Sequence, residues 1–137
     1  MTAKQYLNRA YSLRKRIAAK ELRKEELMAQ AQKITADITG MPRGSGNQSP
    51  VERAAAAIAD LSWEIEKDWL DLIGYQEEIR QAIESVKDPN IYQVLTYRYL
   101  AYKRWEDIAD LMHYTPRNVF ILHKKGLKLV EAFIVFH

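Results

Sequence analysis

Any chemistry in this chain must come from a short inventory: three histidines, eighteen Asp and Glu, and no cysteine. His113, His123 and His137 lack the H-E-x-x-H spacing that puts two zinc ligands on one helical face. Glu64, Asp68 and Asp71 do share a helical face. A di-metal site in a helical bundle also needs Glu-x-x-His pairs, however, and none occurs. Arg43 to Gly46 reads Arg-Gly-Ser-Gly, with no following Gly-Lys-Ser/Thr to make a phosphate cradle, so it is a loop. Glu77-Glu78 reads as a solvated acidic face. Without cysteine there is no disulfide, thiolate nucleophile or Cys-based zinc site. The expectation is a non-enzymatic protein with no catalytic residue, metal, cofactor or small-molecule substrate.

The spacing that does carry information runs from Ile108 to Leu122. Two helices that nearly touch need a small residue at the crossing, and Ala109 supplies it. A sharp turn is needed four residues later, at His113, a residue type enriched among those that tolerate positive φ. Tyr114 then gives an apolar side chain beside the turn, and Val119 and Leu122 give two apolar anchors on the following helix. These intervals fit a helix-turn-helix, whose second helix projects into the major groove of DNA.

With Val94-Leu95, Arg98-Tyr99, Trp105 to Ala109, Tyr114-Thr115, Arg117, Val119, Leu122-His123 and Leu127, the segment from about Asp88 to Leu129 resembles region 4 of bacterial sigma factors. The chain is more similar still to short prophage proteins of Gram-positive bacteria. These carry such a module behind a basic helix opening with a Tyr-Leu-Asn-Arg-like run, here Tyr6 to Arg9. In size and helical layout they are similar to the ArpU/RinA-type late transcription regulators. The resemblance implies that the recognition helix starts at Thr115, with Arg117, Asn118 and Ile121 meeting base edges. Arg suits guanine, Asn suits adenine, and an apolar side chain suits the thymine methyl. Arg104, Thr115, Lys124 and Lys125 would then hold phosphates, which fix position without reading sequence. Thr115 has an equally simple role as a helix cap, and the two are compatible. Double-stranded DNA and RNA polymerase are the implied partners. The chain departs from the pattern at Phe120 and Ile121, where sigma region 4 usually has polar or cationic residues on the exposed recognition face.

The elements that position this module are helical. Ala3, Tyr6, Ala10, Leu13, Ile17, Lys20, Lys24, Leu27, Ala31, Ile34, Ile38 and Met41 follow the alternating three- and four-residue steps of a coiled-coil seam. Val51, Ala54, Ile58, Leu61, Ile65, Asp68, Leu72, Tyr75, Ile79, Ala82 and Val86 do the same. Between them Gly40 suits a helix C-cap, and Ser49-Pro50 suits an N-cap and first-turn residue, with a flexible tip over 40–50. This predicts an all-α chain: a coiled-coil-like antiparallel hairpin over 1–86, then a helix-turn-helix module over 87–137. Pairing Ile38 with Val51 makes facing residue numbers sum to about 89, which sets Asp68 opposite Lys20 and Lys24. These three either form an ion pair that fixes register, or the lysine stems snorkel and Asp68 faces solvent.

Val86 to Asn90 breaks the second helix at Pro89, and three short helices are expected to follow. Trp63, Trp69 and Leu70, with Ile73, lie off the hairpin seam, and the tail carries Phe133 and Phe136 among other apolar residues. Such stripes call for a packing partner, either the C-terminal helix of the same chain or a second copy in a homo-oligomer.

Composition sets outer bounds. A length of 137 residues suits about one domain, at roughly 150 residues per domain. No apolar run approaches the ~20 residues that span a bilayer, and the N-terminus lacks a signal-peptide core, so a bacterial cytoplasmic location is expected and no membrane partner. The net charge of +3 conceals a basic first segment, with nine cations against four acids over 1–39, and an acidic second one, with three against nine over 51–86. Opposite signs suggest that these segments pair. Two functions remain open: a DNA-binding transcription regulator, or a non-catalytic adaptor that uses the same fold for protein contacts in phage packaging or assembly.

Overall fold

The computed structural model describes residues 1–37 and 49–136, and among them all regular structure is helical. Five helices follow in order: α1 Ala3–Asp37, α2 Pro50–Glu84, α3 Pro89–Tyr99, α4 Trp105–Met112 and α5 Pro116–Phe136. The seam positions Ile38 and Met41, the Gly40 cap, the tip over 40–48 and His137 lie outside the described residues.

Each helix start has a local cause. Thr2 Oγ1 accepts from the Gln5 amide at 3.1 Å while the Gln5 side chain accepts from the Thr2 amide at 2.8 Å. Ser49 and Glu52 repeat this reciprocal box at the start of α2, at 3.2 and 3.3 Å. Such boxes satisfy two orphan donors at once. Asp88 Oδ1 accepts from the amides of Asn90 and Ile91, with Pro89 in the first turn where its missing N–H costs nothing. Thr115 Oγ1 accepts from the Asn118 amide at 3.2 Å, and Pro116 opens α5.

The chain forms two compact units. One comprises 14–71, the greater part of α1 and the first part of α2. Its buried residues include Ile17, Leu61 and Ile65. Beside them Lys20 Nζ donates to Asp68 Oδ2 at 2.6 Å, with both side chains mostly buried. Lys24 is half-buried.

The other unit comprises 1–13 and 72–136. Here Leu7 and Ala10 of α1, Leu72, Ile79 and Ile83 of α2, and Ile91, Val94, Leu95 and Tyr99 of α3 are buried. The Arg9 guanidinium lies 4.0 Å from the centre of the Tyr6 ring and 4.7 Å from that of Tyr75. It also reaches Glu78 at 2.6 Å. Stacking satisfies the flat faces of the guanidinium while the carboxylate takes its charge. The Tyr6 to Arg9 run therefore has a packing role in this unit.

Helix α5 departs from the expected short third helix. It runs 21 residues, so the apolar stretch from Leu129 to Phe136 continues the helix. Between Pro116 and Phe136 there is no proline, and the single glycine serves close packing. A Cβ on Gly126 would stand 2.9 Å from Ile91 Cγ2 and 3.1 Å from both Leu95 methyls. Absence of that Cβ is what lets α5 lie against α3.

The α3–α4 connection holds an unexpected conformation. Tyr102 has φ 56°, left-handed for a bulky residue, at a cost of roughly 1–2 kcal/mol. Gln76 Nε2 donates to its hydroxyl at 2.8 Å, and its ring stacks on Tyr11 with centroids 6.2 Å apart. These contacts pin the side chain that the strained backbone presents.

Candidate nucleic-acid interface

Helix α4 ends where His113 turns left-handed, with φ 58° and ψ 39°. The His113 amide donates to Asp110 O at 3.3 Å and the Tyr114 amide to Ala109 O at 3.0 Å, closing the last turn. Two residues later Thr115 caps α5. The chain thus reverses between Met112 and Pro116 in three residues, which fixes the start of α5 relative to α4. Val94, Ile108, Ala109 and Val119 form the buried cluster beneath this turn, with Tyr97, Trp105, Met112, Tyr114 and Leu122 packed around it. Ala109 allows the close approach because it carries one carbon.

Helical periodicity divides α5 into two faces. Val119, His123, Gly126 and Val130 recur at four, three and four residues and are buried. Arg117, Ile121, Lys124 and Lys128 repeat the same steps two positions earlier, about 200° round the helix, and are exposed. Asn118 and Lys125 flank them and are exposed as well. One side of α5 is therefore packing, and the other presents three lysines, an arginine, an amide and one branched apolar side chain. From Arg117 to Lys128 this face extends ~16 Å at ~1.5 Å per residue.

Arg117, Asn118, Ile121, Lys124 and Lys125 lie along the exposed side of α5, and the Thr115 hydroxyl is engaged as its cap. Arg104 stands at the N-terminus of α4 and its Nε lies 3.3 Å from Asp107 Oδ2. Both partners are exposed, so this contact is weak and easily exchanged for another anion. Trp63, Leu70 and Phe136 are strongly exposed at 70%, 70% and 81%, Trp69 is 44% exposed, and Phe133 is half-buried.

Phe120 is not simply displayed. Its ring lies 5.1 Å from Trp105 in a tilted arrangement, which leaves it 48% exposed. Trp105 in turn meets the edge of His123 at 4.6 Å and carries the Arg98 guanidinium 4.5 Å over its face. Arg98 Nη1 donates to Lys103 O at 3.0 Å. The result is an aromatic stack that ties α3, the α3–α4 connection, α4 and α5 together.

Sequence reasoning missed the centre of that stack. His123 is buried, and its Nε2 lies 2.5 Å from the Tyr99 hydroxyl. Burial, then the nearby Lys4 and Arg98 charges, hold the imidazole down at about 4, whereas burial pushes the Tyr99 phenol up to about 12. Both groups are therefore neutral near pH 7. The pair then shares one proton-mediated bond, from Tyr99 O–H to Nε2 or from Nε2–H to the phenol oxygen according to the ring tautomer. This bond joins α3 to α5 and fixes the rotation of α5, hence which side chains it exposes. No sequence signal marks it, since the partners are 24 residues apart.

An open depression of about 440 Å³ beside the turn is lined by Lys103, Asp107, Asp110, Leu111 and His113. Among the described residues no group of three or more His, Asp and Glu is placed to hold a metal ion. No described helix is long and apolar enough to cross a membrane. Comparison with protein-family models, curated proteins and solved structures found no significant match to this chain.

Proposed function

We propose that this chain is a DNA-binding transcription regulator of the prophage type, using α4, the His113 turn and α5 as a helix-turn-helix similar to sigma region 4. The observation that carries the reading is the division of α5, with a packed side locked by His123 and an exposed cationic side that opens on Arg117 and Asn118. In this reading Arg117 takes guanine, Asn118 takes adenine and Ile121 contacts a thymine methyl. Arg104, Thr115, Lys124 and Lys125 hold the phosphates. The protein works in the cytoplasm of a bacterial host, with RNA polymerase and a second copy of itself as further partners. Helices α1 and α2 act as an antiparallel hairpin that carries the module. The Lys20–Asp68 contact supports that register, because its residue numbers sum to 88.

A second reading draws support from the apolar side chains left exposed on α5: Phe120, Ile121, Leu129, Val135 and Phe136. On that basis the module would be an adaptor for protein contacts in phage packaging or assembly. A gel-shift series on phage late-promoter DNA separates the two. A DNA binder shifts the probe at ~50 mM salt, loses it steeply as salt rises, and loses base preference in Arg117→Ala. No shift at ~50 mM salt selects the adaptor.

A further inference from the structure

Helix α2 carries a second pattern besides its buried seam. Ala56, Ala59, Trp63, Glu66 and Leu70 recur at three, four, three and four residues, and all five are exposed. Trp63 and Leu70 leave 70% of their surface uncovered. That alternation is the spacing of a helix–helix seam. It lies on the opposite side of α2 from Leu61 and Ile65, which are buried. A solvated helix back has no need of two large apolar side chains seven residues apart.

We propose that this stripe pairs with the same stripe of a second copy, the two α2 helices running antiparallel about a two-fold axis. Self-complementarity is what the symmetry demands, and the sequence meets it. In the register where facing residue numbers sum to 129, Ala59 meets the partner's Leu70, so small lies against large at both ends. At the centre Trp63 meets the partner's Glu66. The indole N–H is a donor only, and the carboxylate is an acceptor, so the one acid in the stripe gains a partner.

Charge selects the same arrangement. In an antiparallel pair each flank of the seam faces its own copy. Asp60 and Lys67 sit on one flank, seven residues apart, and both are exposed. The two-fold therefore brings Asp60 to the partner's Lys67 and Lys67 to the partner's Asp60. On the other flank Trp69 covers the partner's Ser62. A parallel pairing would instead set this flank against the opposite one, where Ser62 and Trp69 lie, and would leave Asp60 and Lys67 without charged partners. This deepens the self-association named above and is independent of DNA binding.

The test is sedimentation equilibrium of the full chain across micromolar to millimolar concentration, without DNA. The mass is expected to rise from 16.0 kDa towards twice that value. Leu70→Glu should hold it at the monomer. Lys67→Asp or Asp60→Lys alone should weaken association about tenfold, since each sets two like-charge contacts. The combined Asp60→Lys/Lys67→Asp chain should regain the original association within a few-fold, with unchanged helicity by circular dichroism throughout. A wild-type mass of 16.0 kDa at every concentration overturns the pairing and leaves the stripe to another segment or another protein. A combined variant as weak as either single one overturns the antiparallel register.

Discussion

Protonating His123 should destabilise the fold over a defined pH window. The ordinary imidazole value is 6.5, and in the folded chain burial and the Lys4 and Arg98 charges lower it to about 4. Above pH 6.5 the ring is neutral in both states and the Tyr99 bond contributes fully. As pH falls below 6.5 the unfolded chain takes a proton that the folded chain refuses, so stability drops until about pH 4. The gap is about 2.5 units, and ~1.4 kcal/mol per unit gives a ceiling of ~3.5 kcal/mol. Solvent screening of the two cations brings the expected loss nearer ~2 kcal/mol. Urea unfolding followed by circular dichroism from pH 7.5 to 4 measures it, with His123→Phe as reference. The variant leaves the Tyr99 hydroxyl without its hydrogen-bond partner, which costs about 1–3 kcal/mol at every pH but adds no slope. Carboxylates titrate in both chains and cancel in the difference. If wild type and variant lose stability in parallel between pH 6.5 and 4, His123 titrates normally when folded and the proposed lock on α5 is wrong.

Two helical glycines should respond to alanine with opposite sign. A Cβ on Gly74 meets nothing within 4 Å, so Gly74→Ala should stabilise by about 0.5–1 kcal/mol through helix propensity. Gly126→Ala places its Cβ 2.9 Å from Ile91 Cγ2, and overpacking of about 1–3 kcal/mol should outweigh the same gain. Thermal unfolding of both variants decides it. Asp68→Ala should cost about 1–2 kcal/mol by stranding the half-buried Lys20 ammonium, whereas Lys20→Met/Asp68→Leu should be neutral or stabilising by the same assay.

Local rules make much of the fold legible in the sequence. Pro89 after Asp88 marks the α2–α3 break and the start of α3, and Ser49-Pro50 marks the start of α2, because caps depend on residues within one turn. The left-handed turn at His113 was legible for the same reason, since the interval from Ala109 leaves no other place for it. What depended on distant residues was not. The length of α5 is not legible, because an apolar tail reads equally as loose end or helix until Gly126 is known to lie against Ile91 and Leu95. The positive φ of Tyr102 rests on Gln76 and Tyr11, 26 and 91 residues earlier in the chain. His123 looked like an isolated histidine without metal spacing. Its role rests on Tyr99 and Trp105, which only tertiary packing brings within reach. The candidate interface was readable as a set of residue types on α5, whereas the stack that orients it was not.

Salt dependence of DNA affinity tests the exposed side of α5 as a DNA-contacting face most directly. Fluorescence anisotropy on labelled duplex gives the slope of log affinity against log salt. Three cations, Arg104, Lys124 and Lys125, each neutralising one phosphate at ~0.9 per contact, predict a slope near −2.7. Replacing both Lys124 and Lys125 by alanine should bring it to about −0.9 on every duplex tested. A wild-type chain that fails to bind at ~50 mM salt, or a slope untouched by removal of both lysines, would contradict the account.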